Sequence, residues 1–561
     1  MMTYLRLPIV LAGLLIPTTL ITAKGDTPPP APRLILQITV DGLRGDLLRR
    51  YGDRFGEGGF RYLLDHGAVY TNAHYQHANT ETIVGHTTLA TGAFPADHGM
   101  IGNVWFDRES GELSYNIEDP EYPLVPTREV ESQGAQVDPA QKISRTQGRS
   151  PRSIIASTLG DELAVFHAGR AKVYGVSGKD RGAVSMAGHV GKAFWFSTNT
   201  GDFVTSSFYY DSYPEWVVRW NAEREAESHS GGEWKLMNDP ASYLLRDFDD
   251  RPYETDLKGY GRIFPHPFGA SDDTLFHTKL LVSPVGDELA LSFSKALIIN
   301  EELGQDGVPD YLAISFSAVD AVNHFFGPSS LENEDVVLRL DRTLADLFAF
   351  IDQAVGLQDT LVVLSADHGM PEMPEFMAAQ GLPVGRLHSE DIIGVADDVG
   401  ARRFGLENLS SFFFRPYLYL DSAVIEAAGL KKAEVEQAVA ARLTEMDGIA
   451  IAVATSELPM LEDTPLIRRI RRNTHPLRSG DIYIVQEPYW FLYEKGPVAA
   501  MHGSPWRYDS YVPIIFAGAN VEPQTIHRLV HPVDVAPTLA AFLGIKPPSS
   551  AVGQPLQEVL P

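Results

Sequence analysis

Six side chains of metal-ligand type lie along this chain, most of them at the end of an apolar run: Asp41, Asp320, His324, Asp367, His368 and His502. Carboxylate oxygen and imidazole nitrogen are ligands that zinc takes from proteins, at roughly 2.0–2.2 Å. Asp320 and His324 are spaced i,i+4, so one helical turn puts both on the same face. Asp367 and His368 are adjacent, where a loop leaving a strand can turn both toward one pocket. Each alone has an ordinary reading as a turn, a surface helix pair or a loop. Together, and tied to successive strand ends, they supply enough ligands for two metals in a shared site.

A second chemistry is written between His77 and Asn103. This stretch is dense in hydroxyls and runs into a short helical segment that begins near Thr82, with Gly85-His86 three and four residues on. A threonine in the first turn of a helix stands beside free N–H groups and the positive end of the dipole, a ready anion site. Ser and Thr also cap helices with no ligand involved, so the stretch gains meaning only from its company. Lys179 and Arg181 follow the strand run 172–176; at i and i+2 they point the same way if the backbone stays extended. His74, His77, His86 and His98 read as hydrogen-bonded structural histidines, with His86 a candidate for support behind the site. Trp105 and Tyr209 read as core residues.

These residues need a frame. Leu34–Val40, 172–176, Asp310–Ser317, Thr360–Ser365 and Val512–Phe516 are short apolar runs of strand length, and helical spacing follows in Phe60–His66, Ser153–Phe166, Leu280–Ile299, Glu332–Ala354 and Val533–Leu543. Strand, polar residue at its end, then helix, several times over, predicts an α/β fold with a mostly parallel central sheet flanked by helices. The expected organisation is a single catalytic domain over 34–545 with α+β surface insertions near 104–150, 192–275 and 371–495, then a C-terminal tail, 546–561. Within the last insertion Phe412–Leu420 reads as a strand and Lys432–Met446 as a helix.

The chain has 561 residues and a formal net charge of −27. No basic face is available to release counterions, which argues against nucleic acid as a stable partner. There is no cysteine, hence no disulfide and no thiolate ligand. Arg6 followed by the apolar run Leu7–Leu20, interrupted by Pro8 and Pro17, reads as an export signal over 1–23, too short and broken to span a bilayer. A Pro-rich lead follows over 24–33. The expectation is a periplasmic or secreted protein with no stable membrane insertion after signal cleavage, a monomer being favoured.

In order, Asp41-Gly42, Thr82-x-x-Gly85-His86, Gly99-x-x-Gly102-Asn103, Lys179-x-Arg181, Asp320-x-x-x-His324, Asp367-His368-Gly369 and His502-Gly503 resemble the alkaline phosphatase superfamily. The resemblance is to its phosphate-irrepressible alkaline phosphatases with a threonine nucleophile, relatives of the nucleotide pyrophosphatase/phosphodiesterases. It implies two Zn2+ per chain, one held by Asp320, His324 and His502, the other by Asp41, Asp367, His368 and the oxygen of Thr82. It implies Thr82 as nucleophile, a phosphothreonine intermediate, and Asn103, Lys179 and Arg181 on the phosphoryl oxygens. With both metals the pocket would carry about +3, so an acidic protein still attracts phosphate. Small phosphate monoesters are the expected substrates, because a dianion has one more exposed oxygen for these donors than a diester. The alternatives are a bimetal phosphodiesterase or nucleotide pyrophosphatase, and a non-catalytic metal- or phosphate-binding protein. A sulfatase lacks its signature here: there is no cysteine and no Ser-x-Pro-x-Arg. Neither a Gly-x-Ser-x-Gly elbow nor a Walker-type loop is present.

Overall fold

Leu34–Val40 is buried at every residue. It runs parallel to Asp310–Phe316 on one side and to Thr360–Ser365 on the other. A strand covered on both faces reads as an unbroken apolar run. Alternate side chains then serve two cores: Leu34, Leu36, Ile38 and Val40 join one cluster, and Ile35 joins the cluster on the opposite face. The structure is a computed structural model describing residues 31–126, 137–493 and 498–561. The expected signal segment 1–23, most of the Pro-rich lead and part of the expected 104–150 insertion lie outside the described residues.

The central sheet has nine strands. Thr360–Ser365, Leu34–Val40, Asp310–Phe316, Val173–Ser177 and Lys192–Phe196 form a parallel block in that spatial order. Tyr511–Gly518 was expected as a strand and is one, but it runs antiparallel to Thr360–Ser365 and to Ala68–His74. Ala68–His74 and Gln524–Ile526 at that edge were not legible as strands, because their side chains are only partly buried and the apolar pattern is broken. At the other edge Lys192–Phe196 pairs with Phe203–Val204 as a hairpin. The insertion expected from 192 therefore begins with a strand of the main sheet: Phe194 is fully buried in the core.

Two expected helices are shorter than their apolar spacing. Thr158 and Asp161 form a reciprocal capping box that starts a helix at Leu159–Phe166. The 280–299 run is split at Ser283-Pro284 into Phe276–Leu281 and Pro284–Asn300, with the Ser283 hydroxyl capping the second. The tail 546–561 docks on the core: Leu556 and Val559 are buried, and the Leu556 N–H donates to Thr538 Oγ1 at 2.9 Å.

The span expected as the 371–495 insertion holds a four-stranded sheet in the order Ser410–Phe414, Tyr417–Leu420, Ile482–Gln486, Ile449–Ala454. Ser389–Val399 and Lys432–Thr444 pack on it around Ile392, Leu409, Val439 and Ile484, an apolar cluster separate from those of the main sheet. The apparent single strand Phe412–Leu420 is a hairpin broken at Arg415-Pro416. Proline has no N–H for a sheet ladder, so the run turns there. Among the described residues no helix is long and apolar enough to cross a membrane.

Candidate active site

The parallel strands finish level. Thr39 is opposite both Ser315 and Ser365, and Ser315 is opposite Ser177. Asp41, Asp320, Asp367 and Lys179 each follow within a few residues, so four charged groups arrive together at the carboxyl edge, where open α/β sheets place their ligands. Asp320 and His324 lie in the helix Ala318–Phe326 as the i,i+4 spacing predicts. Asp287 supports that helix: its Oδ1 accepts the Ser317 and Ala318 N–H groups at 2.8 and 3.0 Å. Two glycines explain the tightness of the motifs. Gly42 has φ +73°, and a Cβ there would lie 2.9 Å from Asp320 Cβ. A Cβ on Gly85 would meet the Asp367 carbonyl at 2.0 Å, so only glycine lets the Thr82 helix approach that strand end.

The donor set fits divalent cations. His324, His368 and His502 each place Nδ1 at 2.8 Å from a backbone carbonyl, of Ala500, Gly369 and Thr80. A carbonyl can only accept, so each Nδ1 carries the proton and each Nε2 is left as the ligand atom. His324 Nε2 lies 3.2 Å and His502 Nε2 3.7 Å from Asp320 oxygens. His368 Nε2 lies 3.3 Å from Asp41 and 3.4 Å from Asp367. The Asp41 oxygens, Asp320 Oδ1, Asp367 Oδ2 and His368 Nε2 are buried and face one another and the cation and imidazoles around them, Lys179, His86 and His502, without well-formed hydrogen bonds. Asp320, His324 and His502 form one group of potential ligands and Asp41, Asp320 and His368 another, so Asp320 faces both. Burial pulls the His368 imidazole down, but Asp367 and Asp41 lift it to about 9. Burial and Asp320 push Asp41 up, yet Lys179 and His368 bring it below the ordinary carboxylate range.

Thr82 opens a ten-residue helix, Thr82–Thr91, buried throughout. Arg181 Nη2 lies 3.4 Å from the Thr82 hydroxyl. Asn103 is fixed by its neighbours: Oδ1 accepts the Ile83 N–H at 3.2 Å, its own N–H donates to Glu81 at 2.5 Å, and its carbonyl accepts from Asn116 Nδ2 at 2.7 Å. Asn103, Lys179 and Arg181 all line a cavity of about 390 Å³. Trp195, Phe196, Phe325 and Phe414 form apolar wall in the same cavity. Lys179 Nζ lies 2.7 Å from Asp41 and also pairs with Asp320, so here it is counter-ion to the carboxylates.

All the sequence-derived site residues therefore meet at one edge of the sheet or line the cavity beside it. The geometry of the cation pair differs from expectation. Lys179 is extended, but Arg181 lies in the first turn of the helix Asp180–Ala187, so strand alternation is not what aims both at the site. His86 is a buried support: Nδ1 donates to the Thr82 carbonyl at 2.9 Å and Nε2 lies 2.8 Å from Ser315 Oγ. Trp105 and Tyr209 are buried core residues, as expected. Sequence reasoning missed three charged groups. Asp138 bonds Arg181 Nη1 at 2.6 Å. Glu81 holds Asn103, and Arg415 pairs with Glu81 at 3.2 Å. Glu81 adjoins the threonine motif and was the most findable of the three; nothing local marks the other two.

Known proteins resemble the whole chain. The family model for type I phosphodiesterase / nucleotide pyrophosphatase matches residues 35–505. Alkaline phosphatase PafA of Elizabethkingia meningoseptica is 32% identical over 557 residues, 98% of each chain. A Myroides odoratus protein named calcium-transporting ATPase is 33% identical over 534 residues, 94% of this chain and 95% of that one. The crystal structure of PafA superposes with a TM-score of 0.87 over 95% of this chain and 99% of that one, at 32% identity. A PafA variant altered at one threonine, one asparagine, one lysine and one arginine superposes with the same TM-score, at 31% identity and the same coverage. With its site at the carboxyl edge of that shared sheet, the chain belongs to the type I phosphodiesterase / nucleotide pyrophosphatase family of the alkaline phosphatase superfamily.

Proposed function

We propose that this chain is an exported, two-zinc alkaline phosphatase that hydrolyses small phosphate monoesters through a phosphothreonine at Thr82. The observation that carries the reading is the Thr82 hydroxyl, at the N-terminus of a buried helix and 3.4 Å from Arg181, beside two groups of metal-ligand side chains. The proposed ligands are Asp320, His324 and His502 for one ion, and Asp41, Asp367, His368 and Thr82 for the other. When bound, zinc supplies Lewis acidity that lowers the pKa of a coordinated hydroxyl by several units and stabilises a leaving oxygen.

The chain's own groups do the rest. Thr82 Oγ forms a bond to phosphorus as the ester P–O bond breaks, and the alcohol departs. Asn103, Arg181 and Lys179 hold the phosphoryl oxygens. Water then attacks phosphorus, the P–Oγ bond breaks, and inorganic phosphate leaves with Thr82 restored. Two in-line displacements retain configuration at phosphorus. In the altered PafA, the intervals from threonine to asparagine and from lysine to arginine equal those from Thr82 to Asn103 and from Lys179 to Arg181, which supports the same assignment here. The donors favour a dianionic terminal phosphoryl group, and a phosphoanhydride presents the same group as a monoester. The proposed partners are therefore small molecules, met in the periplasm or outside the cell, and the protein is proposed to act as a monomer.

Acid quenching during turnover tests the intermediate. Phosphate is expected on the peptide containing Thr82 and is expected to vanish in Thr82→Ala together with turnover. Phosphate on another residue, or full turnover by Thr82→Ala, would falsify the assignment.

A further inference from the structure

Arg415 enters the site from the inserted domain, at the turn between Ser410–Phe414 and Tyr417–Leu420. Its Nη2 lies 3.2 Å from Glu81 Oε1, and its Nη1 donates to the His502 carbonyl at 2.5 Å. The other Glu81 oxygen accepts the Asn103 N–H at 2.5 Å and Asn79 Nδ2 at 3.4 Å. Asn103 Oδ1 accepts the Ile83 N–H, the second residue of the Thr82 helix. A continuous path thus runs from the inserted domain through one carboxylate to a group that lines the phosphate cavity. Glu81 is fully buried and immediately precedes Thr82. Among the described residues Arg415 is its only ion-pair partner.

Electrostatics gives this pair a consequence. A buried carboxylate deprived of its partner is costly, and the structure around it rearranges. Here the rearrangement would move Asn103, and the unpaired charge would stand beside the position of an incoming phosphoryl dianion. Neither effect requires Arg415 to touch the substrate.

We propose that Arg415 is a positioning residue that sets Asn103 through Glu81, which makes the inserted domain a working part of the phosphate site. The proposal rests on the phosphoryl-transfer reading above. The test is a double-mutant cycle on the full zinc-loaded chain, using Arg415→Met, Asn103→Ala and both, with kcat/KM for an aryl and an alkyl phosphate. Losing one preorganised donor costs about 10²–10³-fold. Asn103→Ala is expected in that range and Arg415→Met at about 10–10²-fold, similar for both leaving groups. In the Asn103→Ala background the arginine change is expected to cost less than about threefold. Arg415→Lys should recover part of the loss, as should adding Glu81→Gln to Arg415→Met, with zinc content unchanged. Losses that multiply in full, or that follow zinc content, overturn the proposal. If Arg415→Met does not fold, Arg415→Lys and Glu81→Gln complete the same cycle with Asn103→Ala. Absence of wild-type monoester turnover would remove the underlying reading; normal wild-type turnover with an additive cycle would remove only the role of Arg415.

Discussion

The two regions that meet at the cavity are built on different terms. The carboxyl edge of the main sheet delivers Asp41, Asp320, Asp367 and Lys179 from parallel strands in level register, buried on both faces. The span 371–495 delivers Arg415 from a hairpin turn: one face of its sheet has an apolar cluster of its own, the neighbours Phe414 and Tyr417 pack with Ile83 and Val84 of the Thr82 helix, and the guanidinium pairs with Glu81 and donates to the His502 carbonyl. The first region fixes position through the sheet, so its groups cannot shift without disturbing the core. The second shares an apolar cluster with the Thr82 helix but aims its charged group through polar links between distant segments, which a single substitution can cut while the packing survives. On the proposed reading this is a division of labour: the sheet edge sets where the proposed metal ligands are, and the 371–495 span trims how the proposed phosphate donors are held.

The largest effect is expected at the sheet edge. Asp320 faces both ligand groups, so Asp320→Asn should cost more than about 10³-fold in kcat/KM, since even the loss of a group that only supports a metal ligand costs 10–100-fold. Metal analysis of the purified variant should show reduced content; normal content with normal activity would break the assignment of that edge.

The next effect separates the donors from the ligands. Lys179→Ala should lower monoester hydrolysis at least about tenfold more than diester hydrolysis, because only the dianion offers the additional oxygen. Equal losses on matched aryl esters would mean that Lys179 acts only as the counter-ion of Asp41 and Asp320.

A purely structural variant sharpens the contrast further. Gly85→Ala puts a methyl group 2.0 Å from the Asp367 carbonyl, and backbone on both sides must move. A loss of about 2–3 kcal/mol in denaturant unfolding is expected, with activity falling alongside it. An alanine variant of unchanged stability would show that the Thr82 helix and the strand end are not locked together.

The smallest effect lies away from the site. Burial, and then Glu332, raise Glu254 to about 9. A carboxyl raised in the folded state stabilises the fold fully below its unfolded value of 4.5, and that stability is lost as pH rises toward 9. Glu254→Gln, which keeps the neutral shape, should therefore unfold at nearly the wild-type temperature at pH 5 and at a higher one at pH 9. The gain should grow steadily between pH 5 and pH 9. A gain of equal size at both pH values would contradict the raised carboxyl.

The same division explains what could be read from the chain. Buried parallel strands are continuous apolar runs, so Leu34–Val40, Asp310–Phe316 and Thr360–Ser365 stood out, and the ligands beyond them came with their motifs. Strands near the rim of the sheet such as Ala68–His74 are partly exposed and lose that pattern. Asp138 sits in a polar loop without periodicity, and its bond to Arg181 depends on a long-range approach. Arg415 was hidden inside what read as one strand, where only Pro416 hinted at a turn. Spacing along the chain carries local geometry well; it carries little about which distant loop closes a pocket.

The most direct measurement is kcat/KM for a matched aryl phosphate monoester and diester, at alkaline pH, after chelation and again after zinc is added back. Activity that disappears on chelation, returns with zinc and is faster on the monoester is expected from a site in which Thr82 is the nucleophile and Asn103, Lys179 and Arg181 hold a dianion. Faster zinc-dependent turnover of the diester would contradict that substrate class while leaving the metal site intact. Zinc binding with no turnover of either ester would contradict catalysis itself.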